Sequence, residues 1–160
     1  MARLQAIMPA HEVIDGREGS AYVDINGKRY LLFQLKNFEA KVDKNNIEIQ
    51  RLGTTVAGNI SSGAKLTWKA DMYYNTDIFR ELLLDYIKNG KETYFTMQIT
   101  NDDPNSTGGR HTVILRGCKI NGGILGTLDV DNRILEESIE GTFEDVDMPE
   151  AFGVLEGMTE

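Results

Sequence analysis

Few side chains in this sequence could carry covalent chemistry. His11 and His111 are its only histidines and Cys118 its only thiol. A nucleophile pair needs thiol and imidazole within hydrogen-bond reach. The local pattern points elsewhere, because His111 opens a strand after a polar loop and Cys118 lies beside Gly117 within that strand. Gly58-Asn-Ile-Ser-Ser-Gly63 resembles a phosphate loop, but Ala64 follows it and Lys65 comes one place late. The sequel Lys65-Leu-Thr-Trp68-Lys alternates like a strand, whereas a phosphate loop leads into a helix N-terminus. Asp129, Asp131 and Glu140 have the end spacing of a calcium loop, but Arg133 and Ile134 stand where a ligand and a glycine are needed. No zinc-type cluster of Cys and His occurs. Asn59 and Asn105 head formal glycosylation sequons, which carry little meaning without a secretory signal. No catalytic, metal or cofactor-binding residues are therefore assigned.

Glu136, Glu140 and Glu144 recur every fourth residue, about 13 Å apart in a strand. A glycosidase pair would add a sugar cleft with aromatics, and residues 136–144 hold neither Trp nor Tyr. Two readings of these carboxylates stay open, a solvated outer face or a wall that must not hold a polyanion.

The elements that would position these groups are mostly strands. Tyr22, Val23 and Ile25 lead into Asn26-Gly27, a strong hairpin signal, and Tyr30 to Phe38 returns. Ala40, Val42, Ile47 and Ile49 continue the extended pattern to Gln50. Residues 51–64 are rich in Gly, Ser and Thr, so a long adaptable loop is expected at about 45–64. Leu66, Trp68, Ala70 and Met72 then alternate with Lys65, Thr67, Lys69 and Asp71, a half-buried strand with a polar outer face. One helix is expected at about 76–89. Ile78, Phe79, Leu82, Leu83, Tyr86 and Ile87 form its apolar stripe, Asn75 or Thr76 can cap it, and Gly90 can stop it. Leu84 falls off the stripe. Further strands follow at Phe95–Ile99, Arg110–Ile120, near Leu125–Val130, and from Leu135 to Glu144. In the last, Leu135, Ile139 and Phe143 share one face. Short strands joined by hairpin turns predict a mainly β fold, an antiparallel sandwich or barrel with one flanking helix.

The chain has 160 residues, enough for one domain. The expected division is an N-terminal arm at 1–19, a β core at 20–148 and a C-terminal tail at 149–160. No apolar run approaches the length of a membrane span, and the first residues lack the pattern of a secretory signal. A lone cysteine fits synthesis in a reducing cytoplasm. Seventeen basic residues against 25 acidic ones give −8. Residues 1–132 hold 16 of each sign, so the excess belongs to residues 133–160, with nine acids and Arg133. Such a chain is a poor general binder of nucleic acid or anionic membrane.

The layout resembles the tail tube proteins of contractile phages and phage-like bacteriocin particles. The resemblance rests on the Asn26-Gly27 hairpin, Phe38-Glu-Ala-Lys-Val-Asp-Lys44, the segment Arg51–Ala64, the mid-chain helix ending Lys88-Asn-Gly90-Lys91, Phe95-Thr-Met-Gln-Ile99, Asn101-Asp-Asp-Pro104 and Glu140-Gly-Thr-Phe143. It implies a structural protein of the virion or phage-like tail, made in the bacterial cytoplasm. Six copies would form a ring, and rings would stack into a hollow tube inside a sheath. The resemblance places Arg51, Leu52, Gly53, Thr54, Thr55, Val56, Gly58, Asn59, Ile60 and Gly63 in an inter-subunit loop. A DNA conduit should repel phosphate so that the polymer slides, so Glu136, Glu140 and Glu144 are expected to face the lumen of such a tube. Partners would be other copies of the chain, the sheath protein outside, a tape-measure protein and DNA within, and baseplate and terminator proteins at the ends. A type VI secretion tube shares this principle. A β-barrel holding a small ligand near Trp68, Tyr73 and Tyr74 is the competing binding-module reading.

Overall fold

The protein is described at residues 7–158 by a computed structural model; residues 1–6 of the expected arm and 159–160 of the expected tail lie outside the described residues. Two units emerge. The first takes the chain up to Phe33, Tyr94–Cys118 and the residues from Asp145; the second takes Gln34–Thr93 and Lys119–Glu144.

In the first unit, β1 (Gly19–Ile25) and β2 (Lys28–Leu31) form the expected hairpin. Asn26 and Gly27 both have positive φ, at 50° and 83°, the turn whose twist matches the strands. β5 (Phe95–Asp102) pairs with β1, and β6 (Arg110–Gly122) pairs with β5. A strand absent from the sequence reading, β8 (Asp145–Glu150), lies against the other side of β6. Val23, Met97, Leu115 and Cys118 are almost completely buried, each contributing about 1.5–3 kcal/mol through burial if large and apolar. Before β1, a 3-10 turn at Ala10–Glu12 buries Glu12. The Glu12 carboxylate accepts from the amide (3.1 Å) and hydroxyl (2.5 Å) of Thr107, which hold it below the usual carboxylate range.

The second unit is built on β3 (Leu35–Ile49) and β4 (Gly58–Tyr73), an antiparallel hairpin. Here the structure corrects the expected loop at 45–64: Asn45–Ile49 and Gly58–Ala64 are strand, and only residues 50–57 connect them. Composition misled because the glycine serves a bulge. Asn45 pairs with Gly63 and Asn46 with Ser61, leaving Ser62 as the extra residue. Gly63 has φ 144°, and the Ser62 hydroxyl donates to the Asn45 carbonyl at 3.2 Å. β7 (Glu136–Thr142) pairs with Thr67–Tyr73 of β4 on one side and with the end of β6 on the other. The strand expected near Leu125–Val130 is absent; this segment is irregular, and Leu128 and Val130 are fully exposed. All pairings are antiparallel, so the expectation of a mainly β fold with one helix holds.

The helix α1 (Ile78–Asn89) starts later than expected and ends at Gly90, left-handed at φ 67°, whose amide donates to the Tyr86 carbonyl. No side chain caps its start. Asp77 instead engages Arg80 Nε at 2.5 Å, and the Thr76 carbonyl accepts from the same guanidinium. Only Phe79 and Arg80 of the helix are buried, while Tyr86 and Ile87 at the far end of the stripe are exposed.

Arg80 fixes the helix to β7. Its Nη1 reaches Glu137 Oε2 at 2.8 Å, and its guanidinium lies 4.4 Å from the centre of the Tyr74 ring. Burial opposes the charge, but Asp77 and Glu137 outweigh it and raise the guanidinium's pKa. Nearby, Gly141 allows β7 to meet Trp68. A Cβ there would lie 1.9 Å from the Lys119 carbonyl oxygen and 2.8 Å from Trp68 Nε1.

Two stability predictions follow from these contacts. Arg80→Met strands the Glu137 carboxylate in the interior and should cost about 3–5 kcal/mol in urea unfolding; adding Glu137→Leu should recover most of it. Equal losses for single and double variants would remove the pair's role. Gly141→Ala should cost about 3 kcal/mol and shift the emission of Trp68, the sole tryptophan. An unchanged spectrum and midpoint would show that β7 yields easily.

Candidate assembly interface

The groups that first suggested chemistry are kept apart by their local partners. The Cys118 thiol is buried, donates toward the Leu115 carbonyl, and is pushed up to about 12 by burial, so it is not a nucleophile at neutral pH. His11 lies 3.3 Å from Glu12, while the His111 ring stacks on Phe152 at 4.7 Å. Gly58–Gly63 belongs to β4 and opens no helix. The Asp129 carboxylate accepts from the amide of Asp131 and the side chain of Asn132, closing its own turn. Among the described residues no group of three or more His, Cys, Asp or Glu side chains is placed to hold a metal ion. No described helix is long and apolar enough to cross a membrane.

The hairpin is the feature that stands out. β7 covers β4 from Thr67 to Tyr73 and the Phe143 amide donates to the Leu66 carbonyl, so the distal part, Gly58–Lys65, shows no strand partner beyond β3 among the described residues. β3 is the last strand of its series, and along its 15 residues the outer edge has no strand partner among the described residues. Strand edges of this kind accept another chain. Of the residues expected in an inter-subunit loop, Arg51, Leu52, Gly53, Thr54, Thr55 and Val56 lie in the connection, and Gly58, Asn59, Ile60 and Gly63 lie on β4. Leu52 is fully exposed and Val56 is 66% exposed. The connection has its own order: the Arg51 guanidinium donates to the Val56 carbonyl and the Val56 amide to the Thr54 hydroxyl.

The bulge also changes which face is apolar. Ala40 and Val42 share the buried-side parity of Trp68 and Leu66. Past Gly63, Ile47 pairs with Ile60 and Ile49 with Gly58, on the parity of Asp43 and Asn45. Ile47 and Ile60 are both 51% exposed. An apolar patch therefore terminates an otherwise polar face.

That polar face carries the predicted carboxylates. Glu136 and Glu140 point outward from β7, between buried Glu137, Ile139 and Gly141; Glu144 is exposed just beyond the strand. Glu136 is held by Lys36 at 2.6 Å, which raises the lysine's pKa. Glu140 stands in register with Lys69, and Lys69 with Glu39. Asp71 accepts from the hydroxyl of Ser138 and is lowered by it, and by Asn37. The sequence missed Lys36 of β3 as the partner of Glu136, although the alternation of Lys65, Thr67, Lys69 and Asp71 already marked the face as polar. A groove of about 400 Å³ on this face is lined by Glu39, Lys41, Asp43, Lys65, Lys69 and Glu140, among others, a charged lining unlike an apolar ligand pocket. Trp68 sits at its floor, 2% exposed, with Nε1 donating to the Thr142 carbonyl at 3.3 Å. Tyr73 is 41% exposed and Tyr74 lies under Arg80.

Comparison with known proteins gives this architecture a family. Residues 6–150 match the family model described as phage tail tube protein. The phage-like element PBSX protein XkdM of Bacillus subtilis (strain 168) is 37% identical over 143 residues, which are 89% of this chain and 95% of the relative. A chain from the anti-feeding prophage baseplate shares the fold, with a TM-score of 0.65 at 10% identity over 89% of this chain and 97% of the other. A chain from the sheath-tube complex of an extracellular contractile injection system, in its extended state, gives 0.58 at 12% identity over 92% and 94%. By both sequence matches, with strands and helix in agreement, this chain belongs to the phage tail tube protein family.

Proposed function

We propose that this chain is the building block of the hollow inner tube of a phage or phage-like particle, polymerising through its β3–β4 hairpin, and that it works as a scaffold without catalysis. The observation that carries this is the hairpin's distal half, whose two edges have no strand partner among the described residues and which exposes Ile47 and Ile60. A two-stranded ribbon is marginal alone in water. Pairing with neighbouring copies satisfies its donors and acceptors and buries its isoleucines. A head-to-tail contact of this kind closes into a ring when the rotation permits, and closure removes the edges. The resemblance gives six copies per ring. The polar face of β3, β4 and β7, with Glu136, Glu140 and Glu144, then lines the channel. A sheath outside, a tape-measure protein or DNA inside, and baseplate and terminator proteins at the ends complete the particle. Support comes from the similar folds found in a baseplate, a sheath-tube complex and a sheath/tube terminator.

Two experiments test this. Lys44 pairs with Ala64, so replacing residues 45–63 by Asn-Gly keeps the hairpin register. The variant should stay folded, with the Trp68 emission of the parent, and should form no rods in negative-stain microscopy. Rods of normal diameter would refute the hairpin's role. Changing Glu136, Glu140 and Glu144 together to Lys should make assembled tubes retain duplex DNA, with retention falling steeply as salt rises. DNA retention equal to that of the parent tube would remove these residues from the channel wall.

A further inference from the structure

Resting on the reading that the outer face of β3, β4 and β7 lines the channel, we infer that this wall is charge-compensated and suited to pass an extended polypeptide of mixed charge. The charges alternate in register across the strands. Lys36 grips Glu136 beside the Tyr73 ring. Lys69 is paired on one side with Glu39 and on the other with Glu140, side chains whose Cβ atoms stand about 5 Å apart in such ladders. Asp43 pairs with Lys65, and Lys41 with Thr67. Four lysines (36, 41, 65 and 69) thus face six carboxylates (39, 43, 71, 136, 140 and 144), leaving −2 on this face of a chain whose total is −8. The groove between the strands carries both signs, with Lys41, Lys65 and Lys69 and with Glu39, Asp43 and Glu140 in its lining.

Passenger chemistry selects this arrangement. A conduit for a polyanion alone needs only carboxylates; each lysine added to its wall is a phosphate contact that slows sliding. A purely acidic wall, in turn, holds every cationic stretch of a polypeptide. A wall whose signs are answered within one strand spacing projects little field beyond a Debye length of about 8 Å. It holds neither sign, which is what a passenger carrying both requires.

The test uses tubes assembled from the full chain, incubated at about 0.15 M salt with oligolysine or with a single-stranded oligonucleotide, and imaged by electron cryomicroscopy for density on the tube axis. Parent tubes should show axial density at solvent level with both probes. Tubes carrying K41Q, K65Q and K69Q should fill with oligolysine, and tubes carrying E39Q, E136Q and E140Q should fill with oligonucleotide, each at about tenfold or more over the parent. Parent tubes that fill with oligolysine alone would overturn the inference in favour of an acidic conduit for polyanions, with the channel placement intact. Variants indistinguishable from the parent with both probes would overturn it together with the channel placement. Should a variant fail to assemble, the parent tubes decide alone, since filling by either probe is incompatible with a compensated wall.

Discussion

Backbone hydrogen bonding that outruns the protein's own supply of strands is the constraint on which this structure depends. Every strand needs a partner for its amides and carbonyls. β7 has seven residues, yet β3 and β4 run for 15 and 16. The excess cannot be shed, because the bulge at Ser62 holds the distal pairing in register and Gly63 supplies the backbone angle it needs. Length and register together leave a long paired ribbon whose outer edges have no strand partner among the described residues. By contrast, other strands are blunted as natural edges are: β2 has four residues, and β8 has six with Pro149 among them. Among the described residues the hairpin is left long and apolar at its end.

Such a ribbon projects usefully only if its base is firm. At that base Trp68 and Met72 are nearly fully buried, and Gly141 gives the indole room against β7. On β7, Glu137 meets Arg80, which also collects Asp77, the Thr76 carbonyl and the Tyr74 ring. A buried pair of this kind costs desolvation and adds little net stability. What it supplies here is orientation, since a helix with only one fully buried apolar side chain, Phe79, has few other means of fixing its rotation.

Where local pattern and local structure coincide, the sequence was informative. Asn26-Gly27 demanded positive φ and took it; Leu66 to Met72 alternated and became a strand with Trp68, Ala70 and Met72 inside; Gly90 stopped the helix. It was uninformative where distant partners decide. The distal hairpin is rich in Gly, Ser and Thr and gains its strands from cross-pairing, not propensity. Leu125–Val130 has strand-like residues but no pairing, and stays irregular. Glu137 carried a readable signal, an acid on the inward parity of Leu135 and Ile139, but its partner is 57 residues away. Of the candidate site, the outward row of Glu136 and Glu140 was legible from alternation; Lys36 of β3, which closes on Glu136, was not.

The same distinction changes the meaning of the acidic C-terminal stretch. Along the chain, residues 133–160 form one block of nine acids. In space four of these acids go to three destinations. Glu136 goes to Lys36 on the polar face at 2.6 Å, Glu137 to Arg80 in the interior at 2.8 Å, and Asp147 and Glu150 of β8 to Arg116 and Arg110 at 2.6 and 3.1 Å. Four of the nine are therefore answered by bases drawn from residues 1–132, the part that is neutral by itself. A solubilising tail would keep its acids together in water. Distributing them in pairs over two strands and a buried contact makes them elements of the sheet, and leaves the bases of β3 and β6 as their counterparts.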